Sequence, residues 1–289
     1  MNPEWSELNK AVQIQLKNEA TFSQGIETLL ALRQFLMDEL LQIKEELSKA
    51  ELSAMPFPKA EGYHSKTIAY SVWHIFRIED IVANSLIQQD KEVLCGSREK
   101  IGAPIITTGN ELVGAEIADF LKSLDSDSLY AYALAVKEKT DTLLKSLSYC
   151  DLNRKFNDTD QERLRALQVV SADESAQWLV DFWCRKNIRG LIPMPFSRHW
   201  IMHIEASLRM KNKIRKERTG KREQIQYALE IPANELPIAA CFSFCRNRRR
   251  RRLTISSAIE KRTVRLHDIR IGGWNFAYMA KLDGGKHGY

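Results

Sequence analysis

Two histidines stand four residues apart in the segment Ser197–Ala206, a spacing that can place both side chains on one metal ion. Two prolines, which disfavour helix, precede this segment, and Ser197 is of a type that caps helix N-termini, so we expect a helix over about 197–216. Residues i and i+4 lie on one helix face, so His199 and His203 can bind one metal ion together. The alternative is a buried helix face on which both histidines are hydrogen-bonded.

A third histidine stands far upstream, inside another apolar segment. Apolar residues recur every three or four positions over residues 65–88, which predicts a helix. His74 lies within it, with Tyr70 and Ile78 one turn to either side. Because a buried imidazole without a partner is costly, His74 must meet a hydrogen-bond acceptor or a metal.

The remaining periodicity predicts an all-α domain of four main helices with long connections. Residues 1–216 contain no convincing period-two alternation, and residues 95–110, with three glycines and a proline, are expected to form a connection. The expected helices are 21–48, 65–88, 111–121, 127–147, 161–188 in two pieces broken near 171–173, and 197–216.

Composition narrows the class of protein. No run of eighteen apolar residues is present, so we expect no transmembrane helix, and the N-terminus lacks the basic and apolar regions of a secretory signal. The five cysteines are scattered and odd in number, which favours the reducing cytoplasm over a disulfide-bonded secreted protein.

Helical bundles build metal sites from side chains on facing helices. His74, His199 and His203 would supply three nitrogens and leave one position open, which is the pattern of a catalytic metal, whereas a structural zinc takes four protein ligands. The other histidines are weaker candidates, because His64 lies in an expected loop and His267 and His287 lie in the C-terminal tail.

Two segments, Thr67–Asp80 and Arg198–His203, resemble the DinB/YfiT-like superfamily of four-helix bundles. Members place one histidine on the second helix and an i,i+4 pair on the last, and the resemblance covers roughly residues 20–215. It implies that His74, His199 and His203 bind one divalent metal ion. Zinc or nickel is favoured over magnesium, because imidazole suits borderline transition metals better than hard cations.

The resemblance also implies an activity. Some members are metal-dependent transferases that use a low-molecular-weight thiol such as bacillithiol or mycothiol, so the chain is expected to be a thiol transferase or a related hydrolase acting on a small electrophilic substrate. The alternative is a non-enzymatic metal-binding or stress-related interaction protein. A homodimer is kept open, and no membrane partner is expected.

The sequence assigns no general acid or base. Several polar residues are candidates to accept a hydrogen bond from the imidazoles, as second partners of metal-bound histidines usually do. The alternative, which we favour, is that they are solvated surface charges or, for the tyrosine, part of the core. These residues are Tyr70, Glu79, Asp80, Asp181 and Glu205.

The chain changes character near residue 216. Residues 211–289 hold 19 Lys/Arg and 7 Asp/Glu, a net charge of +12, whereas residues 1–210 carry a net charge of −6. We therefore expect a bundle domain over 1–216 and a basic extension over 217–289 that is disordered or loosely packed. Its arginine run, Arg248–Arg252, can bind nucleic acid weakly and nonspecifically by charge, but a solvated segment without a partner is the favoured interpretation.

Overall fold

The computed structural model describes residues 2–230, 252–253, 264–271 and 274–281, and it describes side chains over residues 2–223. The chain divides into two compact units, Met1–Arg215 and Lys216–Tyr289. Over residues 2–230 every regular element is a helix. The α-helices are α1 (Pro3–Gln15), α2 (Phe22–Glu46), α3 (Lys49–Leu52), α4 (Ile68–Asp80), α5 (Leu94–Ile101), α6 (Ala115–Lys122), α7 (Ser126–Ser146), α8 (Asp158–Ala166), α9 (Glu174–Cys184), α10 (Ile188–Leu191) and α11 (His199–Glu230).

Several short segments differ from α-helix. Two have the wider π-helical winding, namely Ile81–Gln88, which continues α4, and Met194–Arg198, which leads into α11. Three others, Glu19–Thr21, Gly62–Ser65 and Cys150–Asn153, are 3₁₀ turns. π-Helical turns are rare and often lie at functional sites, and here both adjoin the helices that carry the three histidines.

The long helices were predicted well, but parts of the helical unit differ from expectation. Residues 95–110 were expected to be a connection, yet α5 occupies their first turns and ends before Gly102, which adopts a left-handed conformation with φ of 69°. A glycine in this conformation commonly ends a helix, so Gly102 marks the end of a helix that was not predicted from the sequence. Helix α1 was also missed.

Helix α4 lies at the centre of the first unit. All thirteen of its residues are buried, including three with charged side chains, Arg77, Glu79 and Asp80. Two apolar clusters form the core of this unit. One packs Trp73 and Phe76 of α4 against α2, α7 and α11, and the other packs the π-helical continuation against α9, α10 and their neighbours. A helix buried on every side cannot present charges to water, so each charge on α4 needs a partner inside the protein.

Helix α11 runs to Glu230, fourteen residues past the predicted end at 216. The apolar spacing stops at Ile214, the last buried residue described on this helix. The following residues are rich in Lys, Arg, Glu and Gln, which favour helix without any packing face. The predicted end was wrong because apolar periodicity reports burial rather than helix.

Besides the last part of α11, the described elements of the second unit are β1 (Arg252–Leu253), β2 (Val264–Ile271) and β3 (Trp274–Lys281), in the sheet order β1-β3-β2. β2 and β3 are antiparallel, with Ile271 opposite Trp274, and β1 is parallel to β3. These strands were not predicted from the sequence. Residues 231–251, which include most of the arginine run, lie outside the described residues, as do 254–263, 272–273 and 282–289. None of the described helices is long and apolar enough to cross a membrane.

Candidate metal centre

The structure brings the three predicted histidines together. His74 of α4 faces His199 and His203 of α11, and one nitrogen of each ring lies within 4.8 Å of the others. The ring centroids are 5.0 Å apart for His74 and His199, 4.9 Å for His74 and His203, and 4.6 Å for the i,i+4 pair. Among the histidine, cysteine and carboxylate side chains of the described residues, these three histidines form the group that could hold a metal ion.

One ring has its protonation pattern set by a backbone group. The Nδ1 of His74 lies 2.8 Å from the carbonyl oxygen of Thr108, in the loop between α5 and α6. Because a carbonyl only accepts, Nδ1 carries the proton and donates it. The lone pair of the neutral imidazole is then on Nε2, so His74 can ligate through that atom. The sequence analysis predicted that His74 meets a hydrogen-bond acceptor or a metal. The structure supplies an acceptor, the carbonyl oxygen of Thr108, at Nδ1.

The Thr108 bond belongs to a series along one face of α4. Tyr70 Oη donates to Gly109 O at 2.7 Å, Trp73 Nε1 to Thr107 O at 3.3 Å, and Arg77 Nε to Ile106 O at 2.7 Å. With the His74 bond, four donors at positions 70, 73, 74 and 77 reach four consecutive carbonyls, 106 to 109. Such i, i+3, i+4 and i+7 positions share a helix face, so this loop is held against α4 along its length.

Gly109 is required at its place in this loop. Its φ is 76°, and a Cβ atom there would lie 3.3 Å from Cε2 of Tyr70. Only glycine adopts such a φ without steric cost. In the sequence this glycine was a loop signal, whereas the structure shows that it lets the carbonyl series approach α4.

Burial keeps all three imidazoles neutral. The three residues are only 5–6% exposed. The pKa of His74 is lowered to about 4, because burial outweighs the opposing effect of the Thr108 bond and the nearby Lys66 acts in the same direction as burial. Burial followed by the neighbouring histidines holds the pKa values of His199 and His203 well below the ordinary value. Neutral imidazoles are the form that ligates metals.

The ring nitrogens of His199 and His203 also suit a divalent metal ion. The Nδ1 atoms of His199 and His203 are buried and have no hydrogen-bond partner within the described residues. An unpartnered buried nitrogen is costly in an apolar core. Zinc and nickel accept a donor set of three neutral nitrogens that lie within a few ångströms of one another. Within the part of the chain that the structure describes, two of the three rings have no hydrogen-bond partner at Nδ1.

The predicted imidazole acceptors do not serve that role. Tyr70 is closest to it, since its ring stacks on His74 with centroids 5.6 Å apart, but its hydroxyl binds Gly109. Asp181 bonds to Arg165 on the surface, and Glu205 accepts from the backbone of Asn2. Backbone acceptors such as Thr108 carry no signal in the sequence, which explains why it was missed.

The favoured alternative of solvated surface charges was wrong for two of these residues. Asp80 is fully buried, accepts from Tyr132 and Asn84, and receives the backbone N–H groups of Val93 and Leu94 at the start of α5. Glu79 is also fully buried and pairs with Arg33 of α2, whose guanidinium donates to both carboxylate oxygens at 2.7 and 2.9 Å. Burial would lower the pKa of Arg33, but Glu79 and Asp141 outweigh it and raise the value.

The predicted cap of α11 was wrong. Ser197 lies inside the π-helical segment, and its hydroxyl donates to Asn9 Oδ1 at 2.8 Å and to Pro193 O at 3.1 Å rather than accepting from the helix. The prolines did not prevent winding before α11, because Pro195 lies in the first turn of the π-helical segment, where a backbone N–H would have no helical partner.

His64 lies nearer to the cluster than its expected loop position suggested. It is in the 3₁₀ turn Gly62–Ser65, and its ring packs on Tyr63 with centroids 4.3 Å apart. Tyr63 in turn lies 5.5 Å from His203. His64 is not one of the three histidines whose ligand nitrogens lie within 4.8 Å of one another.

Neither a scan against protein-family models nor a search of curated proteins finds a match to this sequence. The likeness to DinB/YfiT-like proteins therefore stays a prediction, which depends on the two histidine-bearing segments.

Proposed function

We propose that this chain is a divalent-metal-binding protein of the DinB/YfiT-like four-helix-bundle type, and that it acts as a metal-dependent thiol transferase or hydrolase on a small electrophile. The four bundle helices would be α2, α4 with its π-helical continuation, α7, and the first part of α11. The observation that supports the proposal is the approach of three buried, neutral imidazoles from α4 and α11 to within 4.8 Å.

His74, His199 and His203 would hold the ion, zinc or nickel before magnesium. When bound by three imidazoles, such an ion supplies a Lewis acid that keeps a thiol or a water deprotonated at neutral pH. The chain contributes the orientation of the donors, through the Thr108 bond at His74, and a largely water-free surrounding in which that charge effect is strong.

A low-molecular-weight thiol would be the second substrate. Three neutral imidazoles would not compensate the charge of a divalent ion in this apolar surrounding, which would favour an anionic second substrate such as a thiolate. Within the described residues the set contains three histidines and no carboxylate, so the protein itself does not neutralise that charge.

One observation favours a second candidate function, a non-enzymatic metal-binding or interaction protein. The three histidine residues are only 5–6% exposed, whereas a substrate needs a pocket that opens onto the metal. A cavity of about 450 Å³ lies elsewhere, on α9, lined by Trp178, Asp181, Phe182, Arg185 and Lys186. A sealed site would hold a metal without turning over a substrate.

The two candidates are separated by a screen of the metal-loaded protein with several thiols against a panel of small electrophiles. Turnover above that of the free metal ion, lost in His199→Ala, would support the transferase. Stoichiometric metal with no turnover for any thiol, or with water alone, would favour the non-enzymatic candidate. Protein that retains no metal would contradict both.

A further inference from the structure

A buried ion pair connects the two helices that carry the histidines. Glu79 of α4 accepts a hydrogen bond at 2.8 Å from the indole Nε1 of Trp200, the residue that follows His199. The same carboxylate accepts both bonds from Arg33, and the side chains of Glu79 and Arg33 are completely buried. One carboxylate on α4 is thus bonded to a residue adjacent to a candidate metal ligand on α11.

Arg33 contacts the same part of the chain from the other side of His199. Its Nη1 donates to the carbonyl oxygen of Phe196, in the π-helical segment, at 3.1 Å. Its guanidinium also lies 4.7 Å from the ring centroid of Trp200, and its Nε donates to Asp141 of α7 at 2.6 Å. The chain is therefore held three residues before His199 and one residue after it.

Apolar packing alone would not fix the rotation of α11 against α4. Trp200 also meets Phe76 of α4, with ring centroids 4.6 Å apart, but apolar contacts are non-directional and tolerate rotation of one helix against another. A buried ion pair contributes little net stability compared with apolar residues of the same volume, and its best-attested use is to specify register. Hydrogen bonds are directional, so those from Trp200 and Arg33 specify the rotation of the first turn of α11.

We infer that Glu79 and Arg33 are positioning residues for the histidine cluster: they set the rotation and height of the start of α11 so that His199 and His203 face His74. This inference depends on the proposed metal binding. It makes the metal affinity of the cluster depend on side chains that touch neither the imidazoles nor the ion.

The test compares three variants of the full chain for zinc affinity and for the visible absorption of bound cobalt(II). Trp200→Phe removes the indole donor but keeps an aromatic ring against Phe76. Glu79→Gln keeps the shape of the side chain and removes its charge. Trp183→Phe is the matched control, because Trp183 is an equally buried tryptophan that lies in the other apolar cluster.

Loss of a group that hydrogen-bonds a metal ligand typically weakens metal affinity by about 10- to 100-fold. Glu79 and Trp200 do not bond the imidazoles themselves, so for Trp200→Phe and Glu79→Gln we expect the lower end of that range, a loss of about tenfold. We also expect a changed cobalt(II) band in both, since the ligand geometry shifts. Trp183→Phe should lower the melting temperature and leave the affinity and the band unchanged. A purely structural role for Glu79 would move the melting temperature alone.

The outcomes separate this inference from the proposed function. If the wild-type protein binds cobalt(II) and folded Trp200→Phe and Glu79→Gln bind it within about twofold of the wild type with the same band, the positioning role is overturned and the metal centre stands. If the wild-type protein binds neither zinc nor cobalt(II), the metal centre is overturned and the positioning role falls with it. Should Trp200→Phe fail to fold, Glu79→Gln alone decides.

Discussion

The Nδ1 of His74 donates to the carbonyl oxygen of Thr108 over 2.8 Å, and this bond links a completely buried helix to an irregular loop. It leaves the lone pair of His74 on Nε2, in a cluster that His199 and His203 complete. The candidate site therefore depends on three parts of the chain far apart in sequence, and each part can be tested separately.

The first prediction concerns the metal itself. Protein purified without a histidine tag should contain about one zinc or nickel ion per chain by elemental analysis, and His199→Ala should abolish it, because two imidazoles hold such ions poorly. His64→Ala is the control: His64 does not belong to the group of three, so this variant should keep the metal. Stoichiometric metal in a variant with alanine at His74, His199 and His203 would refute the site.

The second prediction concerns the loop that carries Thr108. Gly109→Ala should destabilise the protein by about 1–2 kcal/mol, because a side chain is strained at its positive φ. It should also reduce metal retention, since Thr108 O would shift together with its neighbour. Gly114→Ala is the matched control: Gly114 too has a positive φ, 50°, but a Cβ atom there would have no neighbour within 4 Å, so metal content should be unchanged. Equal metal content in both variants would argue against the loop's role.

The third prediction concerns the stability of the buried pair. Glu79→Ala should cost about 3–5 kcal/mol in chemical denaturation, because it leaves Arg33 buried without its main partner. Asp90→Ala removes the exposed pair with Lys139 and should not change the midpoint measurably. The double variant Arg33→Leu with Glu79→Leu should be less destabilised than Glu79→Ala. A Glu79→Ala midpoint equal to that of Asp90→Ala would contradict the predicted cost of the unpaired charge.

The fourth prediction concerns pH in the metal-free protein. The pKa of His74 is lowered to about 4 in the folded state from an ordinary value near 6.5. Below pH 6.5 the unfolded chain therefore binds a proton that the folded chain does not, and stability falls as the pH drops towards 4. The full effect of His74 is about 3 kcal/mol. Denaturation of wild type and His74→Gln from about pH 8 to 4 measures it, and parallel curves would count against the buried neutral ring.

The fifth prediction concerns the end of the first unit. A chain ending at Lys216 should keep the melting temperature and metal content of the full chain, because the described side chains from Arg215 to Glu223 are exposed or half-exposed. It should lose any salt-sensitive binding of the full chain to DNA or RNA. A chain ending at Ala206 is the control and should be unstable, since it lacks the buried Met210 and Ile214. A Lys216 chain that is insoluble or melts many degrees lower would show that the boundary is misplaced.

Local sequence patterns were sufficient for the long helices and for the three histidines. Apolar spacing located α2, α4 and α7 because their buried faces repeat with the helical period, and the i,i+4 pair needed only helix geometry to share a face. Apolar spacing gave wrong predictions where a helix continues without a buried face and where the chain forms strands. It ended α11 at 216 because packing stops there, and it missed the strands around Gly272 and Gly273, although a glycine pair between two β-rich runs is a hairpin signal.

Tertiary structure alone decided which polar groups meet. The sequence does not show whether the carboxylates of Glu79 and Asp80 face water or the core. In the structure the complete burial of α4 gives Glu79 the partner Arg33 and Asp80 the partner Tyr132. Thr108 presents its backbone carbonyl to His74, and a backbone group has no side-chain signature to read. Residue types and spacing thus determined the candidate ligands, whereas long-range packing determined their orientation, because hydrogen-bond partners are selected by distance in space and not by distance along the chain.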